Sequence, residues 1–494
     1  MGLDTGPKIY RKHGTQPEPA TAEIENSAMI TDTRTPEKSF PLILLVVCLS
    51  IFMATLDTTI VNISLPTISR YFDVGTGEVS WIILSYFLTV TSLLLAFGRL
   101  GDLLGFRKIF LWGILIFATG SFLCALAPGI AEIILFRILQ GIGGGIIVAV
   151  GPAMISAFLP TAIRGRALGY VITSASIGLA LGPVIGGFLT VYLGWRWIFL
   201  VNAPIGIVAA LIGYKVLPRD LPRTKGSFDL IGASLIFACL ALVIYGLNQG
   251  TQLGWGSNQI VGAFSLAVLC AIGFLIRERR YPQPLVDLNL FKNPNFVLPN
   301  IGALLMLLAF AGALFVLPFY MELGLGFPTV VASLFLMIAS IAAAVSAPIG
   351  GAIYDRLGPG LACLAASAST LLAFLLFFLL DTSGSQRIML PLALVLMGIG
   401  YGMYAPPTLS IVLGQCPKEQ GLASSIMMTS RDMGVVLGIA LFETVFSATT
   451  QGDASVHHAS SQIIALGFHH AVLLGIVASL MALVISLMIR NRVR

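Results

Sequence analysis

Apolar residues run along this chain in fourteen blocks, at 42–66, 79–98, 109–127, 130–158, 167–193, 197–217, 229–248, 258–276, 297–320, 328–349, 361–380, 388–413, 421–447 and 468–489. A helix needs ~20 mostly apolar residues to cross the hydrocarbon core of a bilayer. Inside that core a backbone must satisfy its own hydrogen bonds, which a helix does within one segment. The pattern therefore predicts an all-α polytopic membrane protein with fourteen transmembrane helices. Residues 1–40 break the pattern: they are polar, rich in Pro, Thr and Glu, and lack the apolar core of a signal peptide. They are expected to be a disordered cytoplasmic tail.

The blocks repeat. Gly98-Arg-Leu-Gly-Asp102-Leu-Leu-Gly105 returns 253 residues later as Gly351-Ala-Ile-Tyr-Asp355-Arg-Leu-Gly358. Leu139-Gln-Gly141-Ile-Gly143 returns 257 residues later as Leu396-Met-Gly398-Ile-Gly400, and Leu65-Pro66 returns 252 residues later as Leu317-Pro318. Residues 41–217 and 297–494 are thus expected to form two parallel six-helix bundles, the second ending in a short tail. Between them lie a basic linker with two inserted helices, 7 and 8 (218–276), and a cytoplasmic connection (277–296). Two such halves about an axis along the membrane normal are a transporter plan, with the substrate at their interface near the midplane.

Composition agrees: 57% of residues are hydrophobic and 10% charged, against ~25% charged in soluble domains. The net charge of +6 could suggest nucleic acid, but its distribution excludes that partner. With the N-terminus inside, the inner loops and C-terminal tail hold eighteen Lys and Arg, and the outer loops hold three, Arg70, Arg196 and Arg387. That positive-inside bias predicts a multi-pass protein of the cell (inner or plasma) membrane with both termini cytoplasmic. Trp81, Trp195, Trp197 and Trp255 fall near outer ends, where an interfacial belt is expected. The six Cys are scattered without metal spacing. With no triad, phosphate loop or nucleotide domain, neither an enzyme nor an ATP-driven pump is expected, and no cofactor or metal.

Asp57 is the anomaly. It lies deep in the first block, where a charge costs ~3 kcal/mol on insertion scales, so it is a candidate functional residue by default. At 1.5 Å of rise per residue it sits roughly 22 Å up its helix, and Arg137 of span 4 roughly 21 Å up. The depths match, so a pair is geometrically possible. An Arg neighbour favours the charged carboxylate and burial favours the proton, the opposition a proton carrier needs. The alternative is a permanently locked structural ion pair. In the repeat Asp57 aligns with Ala309 and Arg137 with Leu394, so only the first half holds these charges. Asp432, Glu443 and Arg431 complete the intramembrane charges. Three acids against two bases leave one carboxylate expected to hold a proton. Glu443, near the outer end of span 13, has the alternative of reaching water.

Other candidates are less specific. Gly178, Gly182 and Gly186 recur every four residues on span 5 and make one smooth face, beside Pro183 and Gly187; the face is a packing seam or a bending seam for alternating access. Gly98, Arg99, Asp102, Gly105 and Arg107 set topology, or form a cytoplasmic gate in which Asp102 caps the start of span 13. Asn62, Tyr401 and Tyr404 join Arg431, Asp432 and Glu443 as candidate cavity residues, packing being the alternative for the aromatics. His457, His458, His469 and His470 are interfacial or a proton relay.

Together these stretches resemble the major facilitator superfamily, and within it the fourteen-helix drug:proton antiporter branch of the EmrB/QacA type. Leu56-Asp57-Thr-Thr-Ile-Val-Asn62 looks like that branch's first-helix signature, Gly98 to Arg107 like the superfamily's loop motif, and Arg137 to Gly145 like its helix-four motif. Gly178 to Gly187 resembles the helix-five antiporter motif. The C-half copy of the loop motif is degenerate. The resemblance implies a major facilitator fold and export of amphiphilic, often cationic, compounds in exchange for protons. The proton gradient would supply the energy, Asp57 and Arg137 would couple it, and a periplasmic adaptor is a conceivable partner besides the bilayer. The alternative is an exporter or flippase of an endogenous lipid or metabolite.

Overall fold

The computed structural model of the protein describes residues 2, 40–218, 229–280, 288–380, 386–415, 420–450 and 459–492. They include fourteen helices long and apolar enough to cross a membrane: Phe40–Phe72, Thr76–Leu94, Phe106–Leu126, Ile130–Ile155, Arg166–Tyr192, Trp197–Val216, Ile231–Gly250, Asn258–Arg280, Pro294–Gly324, Thr329–Tyr354, Pro359–Phe378, Ile388–Gln415, Ile426–Thr449 and Ser461–Arg490, numbered here as spans 1 to 14. The N-terminal tail, most of the linker between spans 6 and 7, His457 and His458 lie outside the described residues. So do the side chains of Gly98, Arg99 and Asp102, and with them the expected cap on span 13.

The packing follows the sequence repeat. Span 1 packs on spans 4, 5 and 6, span 4 on 2 and 3, and span 3 on 6. Span 9 packs on 12, 13 and 14, span 12 on 10 and 11, and span 11 on 14. Adding eight to each number of the first set gives the second. The halves meet through spans 5 and 10 and through spans 2 and 13, two seams that the same operation interchanges. Matching loop ends share a backbone solution. Gly105 ends the helix of span 2 at φ +101°, and its counterpart Gly358 ends that of span 10 at φ +85°, a region open to a residue without Cβ.

Both repeat copies of the first helix are interrupted. Helix Phe40–Ile60 passes through a 3-10 turn, Asn62–Ser64, into Leu65–Phe72, with Pro66 in its first turn. Helix Pro294–Phe319 carries Pro318 and closes in a π turn, Tyr320–Gly324. Proline removes a backbone donor; Pro66 and Pro318 hold matching repeat positions, but the irregular turn precedes Pro66 in span 1 and follows Pro318 in span 9.

The seam between spans 5 and 10 is a wedge. A Cβ on Gly187 would meet the Ser333 Cβ at 2.6 Å. Eighteen residues away on the same face of each helix, about 27 Å by helix rise, a Cβ on Gly169 or on Gly351 would meet nothing within 4 Å. The halves are therefore closed at the face away from Phe40 and Arg492, the far face, and parted at the face that carries those two residues, the terminal face.

Spans 7 and 8 pair with each other, and span 7 lies along spans 2 and 13. The pair is clipped at the terminal face, where Arg277 Nε donates to Asp229 at 3.1 Å. The Trp belt is corrected in two places. Trp195 is buried among Tyr71, Phe72 and Phe199, and half-buried Trp81 donates to Asn248; Trp197 and Trp255 are exposed.

Candidate functional site

Asp57 lies on the last turn before the break in span 1 and is fully buried. Arg137 reaches it from span 4, with NH1 2.5 Å from Asp57 Oδ2. Asp57 Oδ1 accepts from Gln140 Nε2 at 2.9 Å and from Asn202 Nδ2 at 2.8 Å. Gln140 stands one helical turn after Arg137 and also accepts from its NH1 at 2.7 Å. Asn202, on span 6, donates as well to Ser121 Oγ at 3.1 Å. The carboxylate is thus held by one cation and two amides from two neighbouring spans, the kind of satisfaction a buried charge requires.

Arg137 extends the cluster to the interface between halves. Its Nε donates to the Ile82 carbonyl of span 2 at 2.8 Å. Its guanidinium sits 4.4 Å from the centroid of Tyr86, also on span 2, a cation–π geometry. Gly144 leaves the room in which the Tyr86 hydroxyl lies. Asp57, Arg137 and Tyr86 therefore form one chain from the core of the first half to span 2, the helix that meets span 13 of the second.

The glycine face of span 5 packs on the helix that carries Asp57. A Cβ on Gly178 would meet the Phe52 carbonyl at 2.8 Å, one on Gly182 the Thr59 Cβ at 2.8 Å, and one on Gly186 the Ile60 carbonyl at 2.6 Å. Gly187 faces Ser333 of the other half. Pro183 is buried inside the helix. The face is a packing seam, and it touches both span 1 and the half-to-half interface.

In the second half, Arg431 NH2 donates to the Tyr401 hydroxyl at 2.8 Å, and Tyr401 stacks on Phe310 with centroids 4.4 Å apart. Arg431, Asp432, Tyr401 and Asn62 are half-buried. Two other cavity candidates are corrected. Tyr404 is buried inside the second half with its hydroxyl over Gly302 of span 9; it lies one turn from Tyr401 but points into the bundle. Glu443 neither lines a cavity nor reaches water: it is fully buried and accepts from Thr76 Oγ1 and Asn248 Nδ2, each at 3.2 Å. Its helix faces span 2 at that height, which places its carboxylate in the seam. Arg107 packs within its own half, its NH2 donating to the Tyr214 carbonyl at 2.6 Å. His469 Nε2 sits 2.8 Å from the Leu380 carbonyl and His470 Nδ1 2.9 Å from Thr449 Oγ1.

Gln140, Asn202, Tyr86 and Asn248 were not found by sequence reasoning. Each is a polar side chain inside an apolar block, which is the same signal that marked Asp57.

The chain belongs to the Major Facilitator Superfamily, whose family model matches residues 47–439. It is 33% identical to the riboflavin transporter RibZ of Clostridioides difficile over 86% of this chain and 92% of that one. It is 32% identical to the multidrug resistance protein Stp of Mycobacterium tuberculosis over 83% of this chain and 76% of that one. Its fold is similar, with TM-score 0.66 and 16% identity, to the crystal structure of a bacterial homologue of the human lysosomal transporter Spinster in an inward-facing, unoccupied conformation, covering 93% of this chain and 98% of that one. The protein is a multi-pass membrane transporter of small molecules, and not an enzyme.

Proposed function

From this membership of the Major Facilitator Superfamily we propose that the protein is a proton-coupled antiporter that exports amphiphilic, often cationic, compounds by alternating access. The observation that carries the reading is the buried Asp57–Arg137 pair and its contact with Tyr86 on span 2, the helix that meets span 13 of the other half. A proton on Asp57 removes the charge that holds Arg137. Arg137 then shifts against Tyr86, and the seam between spans 2 and 13 feels the change. In the reverse direction, substrate entering from the cytoplasm or inner leaflet near Tyr401, Arg431 and Asp432, the last two on span 13, acts on the same seam. The positive-inside bias of the sequence argues for a cytoplasmic terminal face, and the wedge is then the inward-facing state. Each pH unit supplies ~1.4 kcal/mol and the potential ~2.3 kcal/mol per charge per 100 mV.

The test is reconstitution in proteoliposomes under an imposed pH gradient, with proton flux followed on adding lipophilic cations. Flux in wild type and its loss in Asp57→Asn are expected; equal rates in the two sink the reading. A second reading, export of an endogenous aromatic metabolite, is favoured by the identity to a protein named as a riboflavin transporter. Flux driven by flavin and not by lipophilic cations selects it.

A further inference from the structure

Asn248 is where the inserted helix pair meets both halves. It is buried near the far end of span 7. Its Oδ1 accepts from Trp81 Nε1 at 3.1 Å. Its Nδ2 is shared among the Gly77 carbonyl at 3.3 Å, Ser80 Oγ at 3.0 Å and Glu443 Oε2 at 3.2 Å. Gly77, Ser80 and Trp81 are on span 2, in the first half, and Glu443 is on span 13, in the second. One residue on, Thr444 Oγ1 donates to the Leu247 carbonyl at 3.0 Å, and Thr76 Oγ1 donates to Glu443 Oε1. Towards the terminal face the same three helices meet through a largely apolar lining that includes Leu88, Ile244 and Val436.

We infer that the inserted helices are a latch on the far face: Asn248 pins span 2 to span 13 while that face is closed, and the helix pair stays with the first half when it opens. The inference rests on the alternating-access reading. A contact biases a two-state equilibrium only if it differs between the states. The partners of Asn248 on span 2 outnumber its one on span 13, so opening the far face breaks the bonds of Glu443 and Thr444 and spares those of Trp81, Gly77 and Ser80. Glu443 is then a positioning residue of the closed state. The wedge between spans 5 and 10 is shut at this face by close packing, whereas the 2–13 seam is shut by side-chain hydrogen bonds, which can be traded for water as the halves part.

The test uses the full chain in proteoliposomes, in a background without native cysteines. Ser333→Cys, buried at the far end of the other seam, reports opening through its labelling rate with a membrane-impermeant maleimide. Asn248→Ala is expected to raise that rate about fivefold, the ratio set by one net hydrogen bond. Trp81→Phe, which removes only the indole donor that orients the amide, is expected to raise it by less, and covers the case in which Asn248→Ala does not fold. Spin-label distances from span 7 to span 2 are expected to hold, and those from span 7 to span 13 to lengthen, as the far face opens. An unchanged labelling rate in both variants, or the opposite distance pattern, overturns the latch. If the parent protein shows no gradient-dependent labelling at all, the alternating-access reading fails and takes the latch with it.

Discussion

Gly182 of span 5 stands directly against Thr59 of span 1, two residues beyond Asp57. The glycine leaves no gap: a Cβ there would lie 2.8 Å from the Thr59 Cβ and 3.1 Å from the Ile60 nitrogen. The helix that carries Asp57 and the glycine face are therefore one packed unit, and a disturbance of either reaches the other.

Gly182→Ala forces these helices apart. Overpacking of this kind costs ~1–3 kcal/mol, so the thermal midpoint in detergent is expected to fall, and gradient-driven transport with it. Thr59→Gly in the same chain removes the opposing Cβ and is expected to recover part of both. A double variant as unstable as Gly182→Ala alone means that the contact is not the cause.

Asp57→Asn leaves the Arg137 guanidinium buried without its counter-charge. Breaking one side of a buried pair costs ~3–5 kcal/mol. The expected result is a larger loss of thermal stability in Asp57→Asn than in Asp57→Asn/Arg137→Gln, with proton-driven exchange abolished in both. Retained exchange in the double variant places the coupling site elsewhere.

Asn202→Leu removes one amide from Asp57 and keeps the volume. A hydrogen bond to a charged group contributes ~1.5–3 kcal/mol, so this variant is expected to unfold at a lower temperature and to lose gradient-driven rate, while substrate affinity measured without a gradient holds. A changed affinity with unchanged rate assigns Asn202 to the substrate site instead.

Tyr401→Leu removes the ring stacked on Phe310. Such a pair contributes ~0.5–1.5 kcal/mol, so the thermal midpoint in detergent is expected to fall, and binding of an aromatic ligand, read by fluorescence titration, is expected to weaken. Tyr401→Phe keeps the stack, removes the Arg431 acceptor, and is expected to alter selectivity more than affinity. Wild-type binding in both removes Tyr401 from the cavity.

Gly105→Ala and Gly358→Ala each force a side chain into a backbone region that costs ~1–3 kcal/mol. The two turns lie in different halves, so their effects on the thermal midpoint are expected to add. A strongly non-additive pair means that the two loops touch.

Much of the protein is legible along one dimension. Fourteen spans follow from the lengths of the apolar runs, and the two-half plan from shifts near 253 residues in glycine and proline patterns. The Asp57–Arg137 pair follows from equal depth, because two charges at one level in lipid have strong reason to meet. These signals survive because run length, repeat spacing and helix rise are properties of the chain itself.

The tertiary structure decided which face of each helix is covered, and by what. These spans are apolar on nearly every side, so no polar stripe marks a lipid face or a buried one. Tyr401 and Tyr404 differ by one helical turn, yet one stacks on Phe310 beside Arg431 and the other is enclosed over Gly302. Glu443 looks from its position like a carboxylate near water, and only the arrival of Thr76 and Asn248, the latter 195 residues away in the chain, buries it. The sequence alone determined how many helices cross the membrane, how they repeat and where charge enters the apolar core. Only the packed structure decided that Gln140 and Asn202 complete the Asp57 site, that the glycine face of span 5 rests on that same helix, and that span 7 bonds to both halves. Those facts depend on helix rotation and neighbour choice, which a uniformly apolar surface does not encode.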